Sequence, residues 1–350
     1  MYRKGMSRCV LALIVVSTAL AQSGYHQLKK ITIGGEGGWD YLIADSASGR
    51  VYVSHGAEVD VVDTKTGEVA GKITGLHGVH GIALAPEFDR GFISNGQSGT
   101  VTVFDLKKLE KIGDDVPAGK NPDAIIYDPA SKRVFAFNGR SSDATAIDAK
   151  DGKVAGTVAL EGKPEFAAAD GKGHVYVNIE DKSEVIDIDA KKLTVEHKWS
   201  LAPCEEPSGM AMDTKSRRIF SGCHNKMVAV MDADTGKVVA TPEIGAGVDA
   251  TAFDPGLKYV YNSCGDGTLS IAHEDSPDKY TVVEQVKTTP RARTMALDTK
   301  THHVFLSIAD FEAAPPAANP PAEEKGGEKA PPRPRPRIVP GTFGLLEYGK

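Results

Sequence analysis

One short pattern of residues recurs seven times along this chain of 350 residues. Clear copies read RVYVSHGAEVDVVDTKTGEV and RVFAFNGRSSDATAIDAKDGKV, and the repeats follow one another at intervals of about 42 residues, the length of a four-stranded propeller blade. The pattern therefore predicts an all-β, seven-bladed β-propeller with four antiparallel strands per blade. The second strands of the seven blades align at Val51, Gly91, Val134, Val175, Ile219, Val260 and Val304.

Each repeat has the order of elements that a blade needs. Short apolar strands alternate with turn sequences such as DSASG and DPASK, and the third strand usually ends in an aspartate whose carboxylate can accept N–H groups of the next turn. The last repeat ends after its third strand, whereas residues 25–33 resemble a fourth strand but precede the first repeat. We therefore expect this N-terminal strand to close the last blade.

The two ends of the sequence carry segments outside the repeat. Residues 1–21 combine three basic residues, an apolar stretch and an Ala-Leu-Ala end, which is the layout of a cleavable signal peptide. We expect an exported protein, periplasmic or extracellular and monomeric, with one propeller domain over residues 22–350 and no membrane span in the mature chain. A Pro-rich insertion at 313–340 interrupts the last blade and is typical of an extended surface loop.

The charge balance argues against polyanionic partners. The formal net charge is −6, and removal of residues 1–21, which contain three basic and no acidic residues, brings it to about −9. Nucleic-acid binders normally present a basic face, and the one basic concentration here lies among the prolines of the insertion. Nucleic acid is therefore a disfavoured partner.

The repeat register also predicts where chemistry is concentrated. One position in each repeat marks the entry of the innermost strand, at the mouth of the central channel, and most residues at this position are charged. Crowded carboxylates raise one another's pKa values unless a cation compensates, so the ring is a candidate site for a cation or a small ligand. The alternative is that each group only caps its own turn. The seven positions are Asp40, His80, Asp123, Glu165, Ser208, Asp249 and Arg293.

A second set of polar residues ends the second strands and is expected on the same face. It includes His55, Asn95 and Asn138, with Arg140 just beyond. Imidazole and carboxylate groups suit a divalent metal ion, which gives a candidate ligand set, although no spacing motif supports it. The alternative is that the histidines are ordinary loop residues. The candidate metal ligands are Asp40, His55, His80 and Asp123.

Three cysteines remain after residue 21. Cys204 precedes the fifth blade and Cys223 ends that blade's second strand, so both are expected at one face of one blade, and we predict a disulfide between them. Cys264 then stays free. A pairing of Cys223 with Cys264, which occupy equivalent positions in neighbouring blades, or a soft-metal site remains open.

The repeats RVYVSHGAEVDVVDTKTGEV and HVYVNIEDKSEVIDIDAKKL resemble the YVTN-repeat, YncE-like family of exported seven-bladed propellers, over essentially the whole mature chain. The resemblance implies the fold, and its members include proteins without an assigned role, a DNA-binding example and distant lactonase relatives. Our leading hypothesis is a scaffold that binds a small ligand or protein partner at the channel mouth. The alternative is a lactonase-like hydrolase, with or without a metal ion; the sequence leaves catalysis undecided.

Overall fold

The computed structural model describes residues 24–312 and 337–350, and these residues form seven four-stranded antiparallel sheets. The all-β, seven-bladed propeller predicted from the repeat is confirmed. The predicted signal peptide and nearly all of the Pro-rich insertion lie outside the described residues. In the described part of the chain, no helix is long and apolar enough to cross a membrane.

The strands follow the repeats, with the first strand of each repeat innermost in its blade. The first blade contains β2 (Trp39–Asp45), β3 (Arg50–His55), β4 (Glu58–Asp63) and β5 (Val69–Ile73); the second contains β6 (Val79–Ala85), β7 (Arg90–Asn95), β8 (Thr100–Asp105) and β9 (Val116–Pro117). The third contains β10 (Pro122–Asp128), β11 (Arg133–Asn138), β12 (Asp143–Asp148) and β13 (Val154–Ala159); the fourth contains β14 (Pro164–Ala169), β15 (His174–Ile179), β16 (Glu184–Asp189) and β17 (Thr194–Ser200).

The remaining three blades complete the ring. The fifth contains β18 (Pro207–Asp213), β19 (Arg218–Cys223), β20 (Met227–Asp232) and β21 (Val238–Ala240); the sixth contains β22 (Val248–Asp254), β23 (Tyr259–Cys264), β24 (Thr268–Ser276) and β25 (Lys279–Lys287). The seventh contains β26 (Met295–Asp298), β27 (His303–Ile308), β28 (Gly344–Gly349) and, from the other end of the chain, β1 (His26–Thr32). Two short 3-10 helices span Pro86–Phe88 and Glu180–Lys182.

The core of the propeller lies between the blades. The second and third strands are buried on both faces, as in the pattern of β3, where five of six residues are inaccessible. One apolar cluster fills the space between each pair of neighbours, for example Phe92 and Val101 of the second blade against Val134 of the third. Apolar burial between blades therefore holds the ring, and each innermost strand contacts the innermost strands on either side.

The aspartates at the ends of the third strands are structural. Asp63 accepts N–H bonds from Lys65 and Thr66, both at 2.9 Å, and Asp232 does the same for the turn that follows β20. These bonds satisfy backbone donors in a tight turn, so the carboxylates are committed to the fold.

Ring closure occurs as predicted. β1 pairs antiparallel with β28, from His26 opposite Gly349 to Thr32 opposite Gly344. Ile31 is buried in the cluster between the seventh and first blades, together with Phe305 and Leu345. The two ends of the described chain thus complete one sheet and share one core.

The cysteines pair within the fifth blade. Cys204 and Cys223 form a disulfide with their Cα atoms 5.5 Å apart, the pairing proposed from the sequence. Cys264 is a buried free thiol, and burial raises its pKa to about 12, so the reactive thiolate is suppressed.

Candidate functional site

The entries of the innermost strands converge on one polar cavity in the channel. Its volume is about 220 Å³, and its lining includes Asp40, Asp123, Glu165, Ser208, Asp249 and Arg293 from six different blades. His80, from the remaining blade, contacts two of these carboxylates. The structure therefore brings all seven positions of the predicted ring together.

Small polar residues in the second strands fix the backbone of this ring. The Asp40 N–H donates to Ser54 Oγ at 2.8 Å, the Ser94 hydroxyl donates to the Asp123 carbonyl at 2.5 Å, and the Asn178 amide donates to the Ser208 carbonyl at 2.8 Å. All three supporting side chains are fully buried. Because these side chains are locked by burial and hydrogen bonding, the channel mouth is preorganised.

Glycines let neighbouring innermost strands approach closely at the ring. A Cβ atom on Gly81 would lie 2.8 Å from the Asp123 carbonyl oxygen, and one on Gly209 would lie 2.8 Å from the Asp249 carbonyl oxygen. Each glycine directly follows a ring residue, so a larger side chain here would push the next ring residue out of place.

The first group in the mouth is an imidazole between two carboxylates. His80 Nδ1 lies 2.6 Å from Asp40 Oδ2 and 3.6 Å from Asp123 Oδ1. Burial and the nearby charge of Asp40 raise the pKa of Asp123 to about 6. Burial opposes protonation of His80, but its hydrogen bond to Asp40 and the charge of Asp123 outweigh that effect and raise its pKa.

The second group is a lysine held by two glutamates. Lys163 Nζ lies 2.7 Å from Glu165 Oε1 and also contacts Glu180. Burial raises the pKa of Glu165 to about 7, although the Lys163 ammonium opposes the shift. A carboxyl group poised near neutral pH therefore faces the cavity.

The third group is the pair Asp249 and Arg293. Arg293 Nη1 lies 3.5 Å from Asp249 Oδ1, and its side chain is 57% exposed against 15% for the aspartate. Burial raises the pKa of Asp249 to about 6, and the charge of Arg293 limits the shift. The Ser208 hydroxyl donates to the Asp249 carbonyl at 3.1 Å, which holds the strand that carries this carboxylate.

The lining of the cavity carries an excess of negative charge. Among the described residues, five carboxylates line it against the two fixed cations of Lys163 and Arg293. Tyr41 and Phe166 supply an aromatic wall, with ring centroids 4.3 Å apart. With every carboxylate ionised and the histidines neutral, the net charge of the lining is −3, five negative charges against two positive ones.

The polar residues that end the second strands were predicted to lie on the same face as the ring, but they do not line the cavity at the channel mouth. His55 is buried and bonds through Nδ1 to Asp60 Oδ2 at 2.9 Å, and it is absent from the cluster of Asp40, His80 and Asp123. Asn95 and Asn138 are buried and donate to hydroxyls of their own blades. The physical reason is the alternation of side chains along a strand.

In the first and second blades the fifth residue of the second strand, Ser54 or Ser94, hydrogen-bonds to the backbone of the ring. The sixth residue, His55 or Asn95, points to the other face of the strand and is buried. Arg140, beyond β11, is exposed beside a separate surface depression.

Sequence reasoning missed Lys163, Tyr41 and Phe166 as lining residues. The detectable signal was their position within two residues of the ring residues Asp40 and Glu165.

Comparisons with known proteins identify no family. No family model matches the chain, and no curated protein matches it. Among solved structures, the hydrazine synthase of Kuenenia stuttgartiensis is similar, with a TM-score of 0.67 and 15% sequence identity over 77% of this chain and 92% of that chain. At this level of identity the likeness shows the fold alone, and membership of the YVTN-repeat family stays a prediction.

Proposed function

We propose that this protein is a rigid propeller scaffold that binds a small cation at the channel mouth, with a divalent metal ion as the first candidate. The observation that carries the proposal is the charge of the lining: five carboxylates and only two fixed cations surround a cavity of about 220 Å³ among the described residues. A bound cation would offset the burial and the nearby charge of Asp40, which together raise the pKa of Asp123.

The residues best placed to hold the ion are Asp40, His80 and Asp123. Each offers one atom, and these atoms all lie within 4.8 Å of one another. Nitrogen and carboxylate donors suit zinc and manganese better than calcium, which prefers oxygen alone. Because the ion competes with a proton for the His80 imidazole and the Asp123 carboxylate, its affinity should increase between pH 6 and pH 8.

Calorimetric titration of chelator-treated protein with Zn²⁺, Mn²⁺ and Ca²⁺ tests this proposal. We expect one site per chain and a loss of affinity of about 100-fold in Asp123→Asn, because a neutral amide replaces an anionic ligand. The control is Asp114→Asn, which removes an exposed carboxylate outside the cavity. The proposal fails if none of the ions binds or if both variants bind equally.

A second candidate function is hydrolysis of a small ester or lactone ring in the same cavity. The observation that favours it is Glu165, whose pKa of about 7 suits a general base for a water molecule. Arg293 and Lys163, which also line the cavity, could stabilise a developing oxyanion.

Hydrolysis is tested with γ-butyrolactone and p-nitrophenyl acetate, with and without added Zn²⁺. We expect turnover above the buffer rate, with a decrease of about 100-fold in Glu165→Gln and a rate that rises through pH 7 as the glutamate ionises. Glu161→Gln is the matched control, because Glu161 is exposed and pairs with Lys198 outside the cavity. An equal rate in both variants would exclude Glu165 as the base, and no turnover would leave a binding scaffold.

We also propose that the protein acts outside the cytoplasm. The signal-like residues 1–21 and the disulfide between Cys204 and Cys223 support this proposal, because structural disulfides persist in oxidising compartments. Intact-mass analysis of the protein from the extracytoplasmic fraction of its host tests it. Loss of the first 21 residues and of two thiol hydrogens is the expected result.

A further inference from the structure

A second cavity, of about 500 Å³, lies beside the acidic mouth and differs from it in chemistry. Trp39, Phe311 and Ile338 supply apolar walls, and Arg291 and Arg293 supply positive charge. No carboxylate is among the described residues that line it. Arg293 borders both cavities, so a cationic, aromatic pocket adjoins an acidic one.

The apolar walls are held in place by Phe343 of the seventh blade and by a short antiparallel β-bridge between Phe311 and Ile338. Phe311 bridges to Ile338, and the Glu312 N–H donates to the Arg337 carbonyl at 2.8 Å. The Trp39 ring lies 5.4 Å from the buried Phe343 ring and 6.0 Å from the Phe311 ring. Aromatic surface is therefore held half-buried at the pocket, where a flat ring can stack.

The Arg291 side chain is held at the pocket by an aromatic ring. The Arg291 guanidinium lies over the Phe311 ring, 4.4 Å from its centroid, and no ion pair joins it to a carboxylate of the described residues. The backbone N–H of Arg291 donates to the Gly265 carbonyl at 2.9 Å, which anchors the loop. A guanidinium with free N–H donors beside an aromatic surface is suited to a carboxylate.

Thr294 adds an independent indication of a ligand. It lines the same pocket, it is 3% exposed, and its hydroxyl has no hydrogen-bond partner among the described residues. Buried hydroxyls normally have a partner. An acceptor oxygen in the pocket would supply the one that is missing.

We propose that this pocket binds an aromatic carboxylate, with the ring against Trp39 and Phe311 and the carboxylate on Arg291. The proposal does not depend on cation binding at the mouth, because it uses a different cavity and the opposite ligand charge. Arg293 is already 3.5 Å from Asp249, so Arg291 is the principal anion-binding group.

Calorimetry of the full chain with indole-3-acetate tests the proposal. Tryptamine is the matched probe, since it has the same ring and the opposite charge, and acetate is the probe without a ring. We expect indole-3-acetate to bind at least 10-fold more tightly than either. Arg291→Gln should weaken binding at least 10-fold, and Arg140→Gln, at an exposed arginine outside the pocket, should leave it unchanged.

The ring contact has its own pair of variants. The chain has two tryptophans, and Trp199 lies in β17, on an outer strand of the fourth blade. The calorimetric affinity for indole-3-acetate should therefore fall about 10-fold in Trp39→Ala and stay unchanged in Trp199→Ala. The proposal is overturned if indole-3-acetate does not bind, if Arg291→Gln or Trp39→Ala binds it as the unaltered protein does, or if tryptamine binds equally well.

Discussion

Substitution of Gly344 by alanine should open the ring and lower the free energy of unfolding by about 4 kcal/mol. A Cβ atom at this position would lie 2.1 Å from the backbone carbonyl oxygen of Ile31, in the strand that closes the last blade. Only a displacement of β1 from β28 relieves this clash, because neither partner is a flexible side chain. The displacement breaks the ladder and exposes Ile31, which is 2% accessible.

Urea unfolding and hydrogen exchange measured by mass spectrometry check this expectation together. The amides of β1 and β28 should lose protection first, while those of the third and fourth blades keep it. Gly38→Ala is the control, since its Cβ atom would meet no atom within 4 Å. Equal stability and equal protection in the two variants would show that closure by β1 contributes little.

Asp249→Asn should stabilise the protein at pH 8 by about 2 kcal/mol and have almost no effect at pH 4. Burial raises the pKa of this carboxyl from 3.8 to about 6 in the folded protein. The charged side chains that face it are Arg293, which lowers its pKa, and the carboxylates Asp40 and Asp123, which raise it; the His224 imidazole also faces it. An amide of the same shape avoids the cost of an ionised group there.

The sign of this pH dependence follows from proton binding. Between pH 4 and pH 6 the folded protein keeps a proton on Asp249 that the unfolded chain has released, so stability falls as the pH rises through this window. Asp123 and Glu165 act in the same direction, because burial raises their pKa values as well. Urea midpoints from pH 4 to pH 8 should therefore decline in the unaltered protein and decline less in Asp249→Asn.

The matched control for this substitution is Asp114→Asn, at an exposed carboxylate that does not line the mouth. It should leave the slope of stability against pH unchanged. If Asp249→Asn instead destabilises the protein at pH 8, the ionised carboxylate is required there, and its pair with Arg293 is worth more than the cost of burial.

The candidate site was predictable to the extent that it follows the repeat. Register alone identified Asp40, His80 and Asp123 as neighbours in a ring, because equivalent positions in successive blades face the same channel. The prediction from register failed at His55, which directly follows the supporting residue Ser54 but is bonded to Asp60 away from the mouth. Side chains alternate between the two faces of a strand, and the end of a strand in the sequence does not reveal which face is open.

Other features depend on contacts between residues far apart in the sequence. The pocket of Trp39, Arg291 and Phe311, for example, joins the first, sixth and seventh blades. No local sequence pattern predicts such contacts. They depend on the curvature of the ring and on where each loop ends.

By itself the sequence determined the number of blades, the closing strand and the ring of charged positions, because a repeated pattern of apolar strands and turns leaves one way to bury its apolar faces. Only the tertiary structure decided which carboxylates are buried, which cations neutralise them and which pocket gathers the arginines. Burial and distance set these electrostatic properties, and both are defined only when the seven blades have closed into a ring.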